Sequence, residues 1–278
     1  MFLFYHRAQD STNINFYKGG LFESLLKDYL EKVGYNIELR KKSSSLEYDI
    51  EGVAKATSQR IIGEAKAHSK SMSGQTISAF VGKLLPLGLV EKKVHGLFLS
   101  LSPLTPEAED YFKQVKAMGL TVKTGQTLYN EISEALSLPD DVTLQKTIDE
   151  LGYDVVAPNI LKTDSGVFKL MVIKMKTSGT PSTFAVFNSS GVLLSDTSFC
   201  RALRDSLTEL SGFDFLESKD NDSYSGNKNA RVFFFFVLAS FTLSDRIGLV
   251  FSSIRQPVQF DGCCAVNGRV MHLPRWGY

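Results

Sequence analysis

The sequence predicts a mixed α/β sandwich in its N-terminal half and a β-rich α+β part in its C-terminal half. Three observations carry this expectation. Segments with apolar residues at three- and four-residue steps alternate with short β-branched runs, in the order α-β-β-β-α-β-α-β, up to about residue 130. An acidic stretch around the turn Pro139-Asp140-Asp141 then interrupts the pattern. Beyond it, strand signals outnumber helical ones.

Each element has its own local reason. Over residues 16–34, Leu21, Phe22, Leu25, Leu26, Tyr29, Leu30 and Val33 recur at helical spacing, and Gly34 stops the helix. Short strands are expected at 35–39, at 46–54, where Tyr48, Ile50 and Val53 stand among acids, and at 60–66, with the apolar pair Ile61-Ile62. A Ser-rich turn with Ser69, Ser71 and Ser73 leads into a helix over 74–85. The run Gly96-Leu97-Phe98-Leu99-Ser100-Leu101 reads as a buried strand. Thr105 is placed to cap a helix over 106–118 that has Pro106 at its first position, and 120–122 is a last short strand.

Residues 131–154 hold seven acids and one lysine, a charge of −6, and 143–151 is expected to be helical. The stretches on either side are mildly basic, +4 over 1–130 and +3 over 156–278. The expected organisation is therefore 1–130, an acidic helical connector at 131–154, and a β-rich α+β part at 155–278. In the last part, strands are expected at 167–175, 182–187, 191–194, 231–242 and 248–251. A turn at Asn188-Ser189-Ser190-Gly191, a helix over 197–210 and a polar loop over 218–229 complete it.

Composition narrows the function classes. With 278 residues, 43% of them hydrophobic, the chain has the makeup of one large or two ordinary globular domains. A net charge of +1 does not by itself point to a polyanion partner. Three cysteines, two of them adjacent at Cys263 and Cys264, make no disulfide scaffold, and a reducing, cytoplasmic setting is expected. The most apolar run, residues 232–241, is shorter than the roughly 20 residues a bilayer span needs. There is no nucleotide-binding Gly-x4-Gly-Lys-Ser/Thr loop and no zinc-ligand spacing around Cys263-Cys264.

The chemistry concentrates on two adjacent strands. Side chains alternate along a strand, so Glu64 and Lys66 point one way and Ala65 the other. If the strands 46–54 and 60–66 form a hairpin, Asp49 can sit across from Glu64. Two carboxylates and an ammonium then meet at one end of the sheet, with Glu23 on the preceding helix. That set suits metal-assisted phosphodiester cleavage. Hard oxygens hold Mg²⁺, for which Mn²⁺ can substitute, and a lysine orients or deprotonates the attacking water. The carbonyl of Ala65 is a candidate further ligand, and Glu51, on the same face as Asp49, is a rival one. Lys70 and Lys83, near the site, and the cluster Arg40-Lys41-Lys42 are candidates for gripping a DNA backbone, against the plainer reading of solvated charges. His68 is close enough to touch substrate.

These residues resemble a known family. The motifs Gly19-Gly20-Leu21-Phe22-Glu23, Tyr48-Asp49-Ile50-Glu51-Gly52 and Ile62-Gly63-Glu64-Ala65-Lys66 are similar to those of the Mrr-type branch of the PD-(D/E)XK nuclease superfamily. Gln75 opening the next helix, followed by Phe80 and Gly82, continues the likeness over about 16–127. The resemblance implies a restriction-endonuclease-like α/β/α sandwich with a mixed central sheet. It implies Asp49 and Glu64 as the principal metal ligands and Lys66 as the catalytic lysine. Gln75 would position water or phosphate, and Glu23 would support the metal or Lys66. It also implies a Mg²⁺-dependent DNA endonuclease used in restriction or anti-phage defence, with the C-terminal part sensing or targeting. The alternatives are a repair or junction-resolving nuclease, or a nucleic-acid-binding module that no longer cleaves. DNA is the expected partner. A dimer or larger assembly is the default for cutting both strands, with a defence-system protein or small-molecule activator as further candidates and no membrane partner.

Overall fold

In a computed structural model of the chain, the residues described are 1–6, 14–43, 46–68, 70–90, 94–217, 265–266 and 269–270. For 14–15, 40–43, 46, 90, 265–266 and 269–270 the description covers the backbone alone. The strands expected at 231–242 and 248–251, the polar stretch 218–229 and the pair Cys263-Cys264 lie outside the described residues. By their contacts, Met1–Ser225 form one compact unit and Gly226–Tyr278 a second. In the second unit, Ala265–Val266 pairs antiparallel with Arg269–Val270. The boundaries expected at 130 and 154 fall inside the first unit.

Two mixed five-stranded sheets build the first unit. One contains β2 (Tyr35–Ser43), β3 (Leu46–Ala54), β4 (Arg60–Lys66), β5 (Val94–Ser100) and β6 (Leu120–Thr124). Its first three strands form an antiparallel meander, while β5 and β6 run parallel to β4. The parallel strands need crossovers, supplied by α2 (Gly74–Val90) and α3 (Pro106–Val115). Both helices lie on one face, where Ile77, Phe80, Val81 and Ala108 pack against Tyr48, Ile62, Phe98 and Leu120. On the other face lie α1 (Ile14–Lys32) and α4 (Gly125–Ala135), packing Phe22, Leu25, Leu26 and Ile132 onto Ile50, Ile61, Leu97 and Leu99.

The second sheet runs β1 (Phe2–Tyr5), β7 (Tyr153–Thr163), β8 (Gly166–Met175), β9 (Thr183–Phe187) and β10 (Asp214–Phe215). One face carries α6 (Thr197–Ser206), which buries Cys200 and Leu203 against Leu161, Leu170 and Val186. The other carries α5 (Asp141–Glu150), with Leu144 and Ile148 against Met171 and Ile173. Phe2 and Ile160 of this sheet join the core of α1 and α4, so these two helices form a layer between the sheets. Lys162 crosses this join to donate to Asp28 Oδ2 of α1 at 2.8 Å, and Lys169 donates to Asp141 Oδ1 at the start of α5 at 2.6 Å. Lys169, 1% exposed, also donates to the Tyr129 hydroxyl at 2.8 Å.

Local sequence accounts for most boundaries. α1 ends at Lys32 and the chain turns at Gly34, where φ is +99°, a conformation without penalty only for glycine. Thr105 Oγ1 accepts from Ala108 N–H at 3.3 Å, with Pro106 at the first helical position. The helix expected over 106–118 divides into α3 and a 3₁₀ turn, Lys116–Met118, that Gly119 closes with φ +77°. At 191–194 there is a single bridge, Phe187 to Leu193, rather than a strand.

Candidate active site

The site begins with the register of β3 against β4. Ile50 pairs with Gly63 and Glu51 with Ile62, and Asp49 follows directly at the end of this ladder, beside the strand that carries Glu64. The main-chain N–H of Ala65 donates to Asp49 Oδ2 at 2.8 Å and fixes the approach. Alternation along β4 turns Glu64 and Lys66 toward α2, whereas Ala65 packs against the core of α1. Lys66 Nζ donates to Glu64 Oε1 at 2.5 Å. Lys83 reaches across from α2 to donate to Glu64 Oε2 at 2.8 Å.

Glu64 is 8% exposed and Asp49 half-buried, yet their electrostatic states differ. Burial pushes Asp49 above the usual aspartate range; the Ala65 N–H opposes this and the nearby charge of Glu64 adds to it. Burial acts on Glu64 in the same sense but is outweighed by the hydrogen bonds from Lys66 and Lys83, which hold it below the usual glutamate range. Glu51, the rival ligand, is engaged by Arg60, whose Nε and Nη2 donate to its Oε1 at 3.0 and 2.7 Å.

Two adjacent, partly desolvated carboxylates suit Mg²⁺. That ion is held by one or two carboxylates and completes its octahedron with waters and substrate phosphates. Among the described residues, no group of three or more His, Cys, Asp or Glu gathers into a ready metal cage. Glu23 stands on α1, in the layer across the sheet from Lys83. Gln75, the second residue of α2, is exposed, as are Lys70 and His68. Arg40, Lys41 and Lys42 belong to β2, where Lys41 pairs with Tyr48 and Lys42 with Glu47; their side chains lie outside the described residues.

Sequence reasoning placed Lys83 at the DNA surface and missed its bond to Glu64. A signal was present, since Lys83 is the sole charged residue of α2. Also missed was the trio of Lys123, Glu131 and Tyr29, in which the Tyr29 hydroxyl donates to Glu131 Oε2 at 2.5 Å. Burial and Glu131 push the Tyr29 hydroxyl up to about 12. This trio borders a half-open cavity of about 450 Å³ with Leu97 and Leu99 in its wall. The cavity lies on the α1/α4 side of the sheet, away from Glu64.

Residues 17–132 match the family model described as restriction endonuclease, of the Mrr catalytic type. The folded chain is similar to a repair endonuclease from Pyrococcus abyssi, with 16% identity and a TM-score of 0.31, over 42% of this chain and 47% of that one. It is similar to the EndoMS–dsDNA2 complex, with 15% identity and a TM-score of 0.33, over 42% of this chain and 48% of that one. It is also similar to MspJI restriction endonuclease in complex with a 27-mer oligonucleotide, with 19% identity and a TM-score of 0.32, over 53% of this chain and 38% of that one. The chain thus spans about half the length, or less, of these three. No curated protein matches it. No helix among the described residues is long and apolar enough to cross a membrane.

Proposed function

Taking residues 17–132 as an Mrr-type restriction endonuclease domain, we propose that the chain is a divalent-metal-dependent DNA endonuclease. The observation that carries this reading is the meeting of Asp49 and Glu64 at one sheet end, with Lys66 on Glu64. Asp49 and Glu64 would hold Mg²⁺ or Mn²⁺, with the Ala65 carbonyl as a further candidate ligand. When bound, such an ion polarises the phosphodiester and acidifies a water.

The chain's own residues supply the rest. Lys66 is fixed by its ion pair to Glu64 and extends from the same strand face, so its remaining N–H donors are available to a phosphate oxygen or to the attacking water. The Ala65 N–H holds Asp49 in place before substrate arrives, so little reorganisation accompanies the reaction. Gln75, at the exposed start of α2, is within the proposed substrate-facing edge and would position water or phosphate. Glu23 is assigned a supporting role, and Lys70, Arg40, Lys41 and Lys42 contacts to the DNA backbone.

The part from 155 onward, a β-rich α+β domain beyond the acidic connector, is assigned recognition, sensing or assembly. The whole is assigned to restriction or anti-phage defence, in the cytoplasm. Cutting both strands needs two sites, which favours a dimer or larger assembly. A protein partner or small-molecule activator would act through the C-terminal part. The presence of Asp49, Glu64 and Lys66 together argues against a binding module that has lost cleavage.

The test is supercoiled plasmid with Mg²⁺ or Mn²⁺, the full-length wild type run beside Lys66→Ala and Asp49→Ala. Wild type nicks or linearises the plasmid, and each variant is slower by about 10²–10⁴-fold. Identical behaviour of all three across substrates and ions removes the assignment. Preference for branched over plain duplex moves the reading to a junction-resolving or repair nuclease.

A further inference from the structure

Glu64 has both carboxylate oxygens taken. Lys66 Nζ occupies Oε1 at 2.5 Å and Lys83 Nζ occupies Oε2 at 2.8 Å. Together with Asp49, the four groups form a neutral cluster, two carboxylates against two ammoniums. Each oxygen keeps a second lone pair, but a divalent ion placed there stands directly beside the ammonium already on that oxygen, and the two cations strongly repel.

The two lysines are not equally free to yield. Lys66 sits two residues from Glu64 on one strand, pointing the same way, and its position is set by the strand itself. Lys83 comes from a different element. Its side chain is 32% exposed, against 24% for Lys66, and its other hydrogen bond is a long one, 3.4 Å to the carbonyl of Glu47. A flexible four-carbon stem at the open side of the site can swing outward without disturbing the helix that carries it.

We propose that Lys83 is a positioning residue that stands in for the metal. It holds Oε2 of Glu64 while no divalent ion is bound, releases that oxygen to the ion, and turns its ammonium to a phosphate of the DNA. This rests on the reading of Asp49 and Glu64 as metal ligands and adds to it a reason for the lone charge in α2. The neutral cluster keeps Glu64 from being an uncompensated buried charge in the metal-free protein. Once the ion enters, two ammoniums and a dication face the substrate, so the site becomes electropositive only when it is ready to act.

Calorimetric titration of the full chain with Mn²⁺, without DNA, separates the possibilities. Wild type, Lys83→Met, Lys83→Arg and Glu64→Gln are compared, each first verified as folded by its melting transition. Removing a competing charge-assisted bond should let Lys83→Met bind Mn²⁺ on the order of tenfold more tightly, while Lys83→Arg stays near wild type. With Ca²⁺ as a non-cleaving ion, the salt dependence of duplex binding should fall by about one charge in Lys83→Met. Unchanged or weaker Mn²⁺ binding by a folded Lys83→Met overturns the proposal, as does an unchanged salt slope. If wild type and Glu64→Gln bind Mn²⁺ alike, the metal-site reading itself fails, and this is seen separately from the behaviour of Lys83.

Discussion

The main-chain N–H of Ala65 donates to Asp49 Oδ2 at 2.8 Å, so the strand that carries Glu64 also clamps the carboxylate opposite it. That one bond opposes the burial of Asp49 without cancelling it, whereas two ammoniums reverse the effect of burial on Glu64. The same end of the sheet therefore holds one carboxylate that the metal-free fold disfavours and one that it favours.

Substitutions at the two positions should act in opposite directions on stability. In Asp49→Asn the amide oxygen can still accept the Ala65 N–H, and a disfavoured charge is gone. The metal-free melting temperature should rise while DNA cleavage is lost. Glu64→Gln leaves one lysine on a weaker, neutral acceptor and turns an amide N–H toward the other, and should destabilise by about 1–3 kcal/mol. Calorimetry of both variants in chelator checks this, and equal destabilisation by the two would contradict it.

The pH dependence follows from the same asymmetry. Glu64, Glu131 and Asp196 are held below their ordinary values, so the stability they contribute is complete above 4.5 for glutamate and 3.8 for aspartate. It is lost as pH falls through their folded values. Asp49 has the opposite sign: its penalty applies above its raised folded value and is relieved as pH falls through it. Wild type should lose stability below about pH 4.5. Asp49→Asn should lose it more steeply, because that relief is absent, and Glu64→Gln less steeply. Urea midpoints of the metal-free proteins, measured from neutral pH downward, give the three slopes.

The buried contact of Lys169 with Tyr129 of α4 and Asp141 of α5 should be most sensitive at Asp141. Lys169 is 1% exposed, while the side chain of Asp141 is 32% exposed. Asp141→Ala strands a buried ammonium on the Tyr129 hydroxyl and should cost about 3–5 kcal/mol. Lys169→Met leaves a carboxylate that can reach water and that the Tyr129 hydroxyl still meets at 3.0 Å, so its cost should be smaller. Equilibrium urea unfolding of the two variants orders them, and the reverse order would refute the reading of Lys169 as the more deeply committed partner.

Glycine in the hairpin has a steric role that glycine in α2 does not share. A Cβ at Gly52 would stand 2.3 Å from the carbonyl oxygen of Asn36, on the adjacent strand. Gly52→Ala should therefore separate β2 from β3 and destabilise by about 1–3 kcal/mol. At Gly82 a Cβ would meet nothing within 4 Å, and Gly82→Ala should stabilise by about 0.5–1 kcal/mol through helix propensity. Chemical denaturation measures both, with Gly82→Ala as the internal control.

Local pattern was enough for the elements that position the site. β3 and β4 lie where alternation and the Ile61-Ile62 run place them, and the pairing of Asp49 with the Glu64 strand follows from a hairpin register that a short connection dictates. The strands β1 and β7 gave no such signal. β1 is four residues long and pairs in parallel with β7, far away in sequence, and β7 carries Pro158 and a bulge between Val155 and Ala157 that disguise it as a loop. The basic run Arg40-Lys41-Lys42 looked like a solvated loop because its charges mask the extended backbone of β2. The helix α4 was absorbed into the acidic stretch, although Leu128 and Ile132 bury completely beneath it.

What the sequence by itself determined was which strand bears the carboxylates and which way each side chain points, because alternation along a strand is a local property of the backbone. What only the tertiary structure decided was which charges meet. Lys83 lies 19 residues from Glu64 and Lys169 lies 28 from Asp141. Their encounters depend on how a helix crosses a sheet and on how two sheets share one layer of helices. Those placements are set by the packing of Phe80 on Phe98 and of Phe2 on Phe22 and Tyr129, contacts between distant residues that no local period encodes.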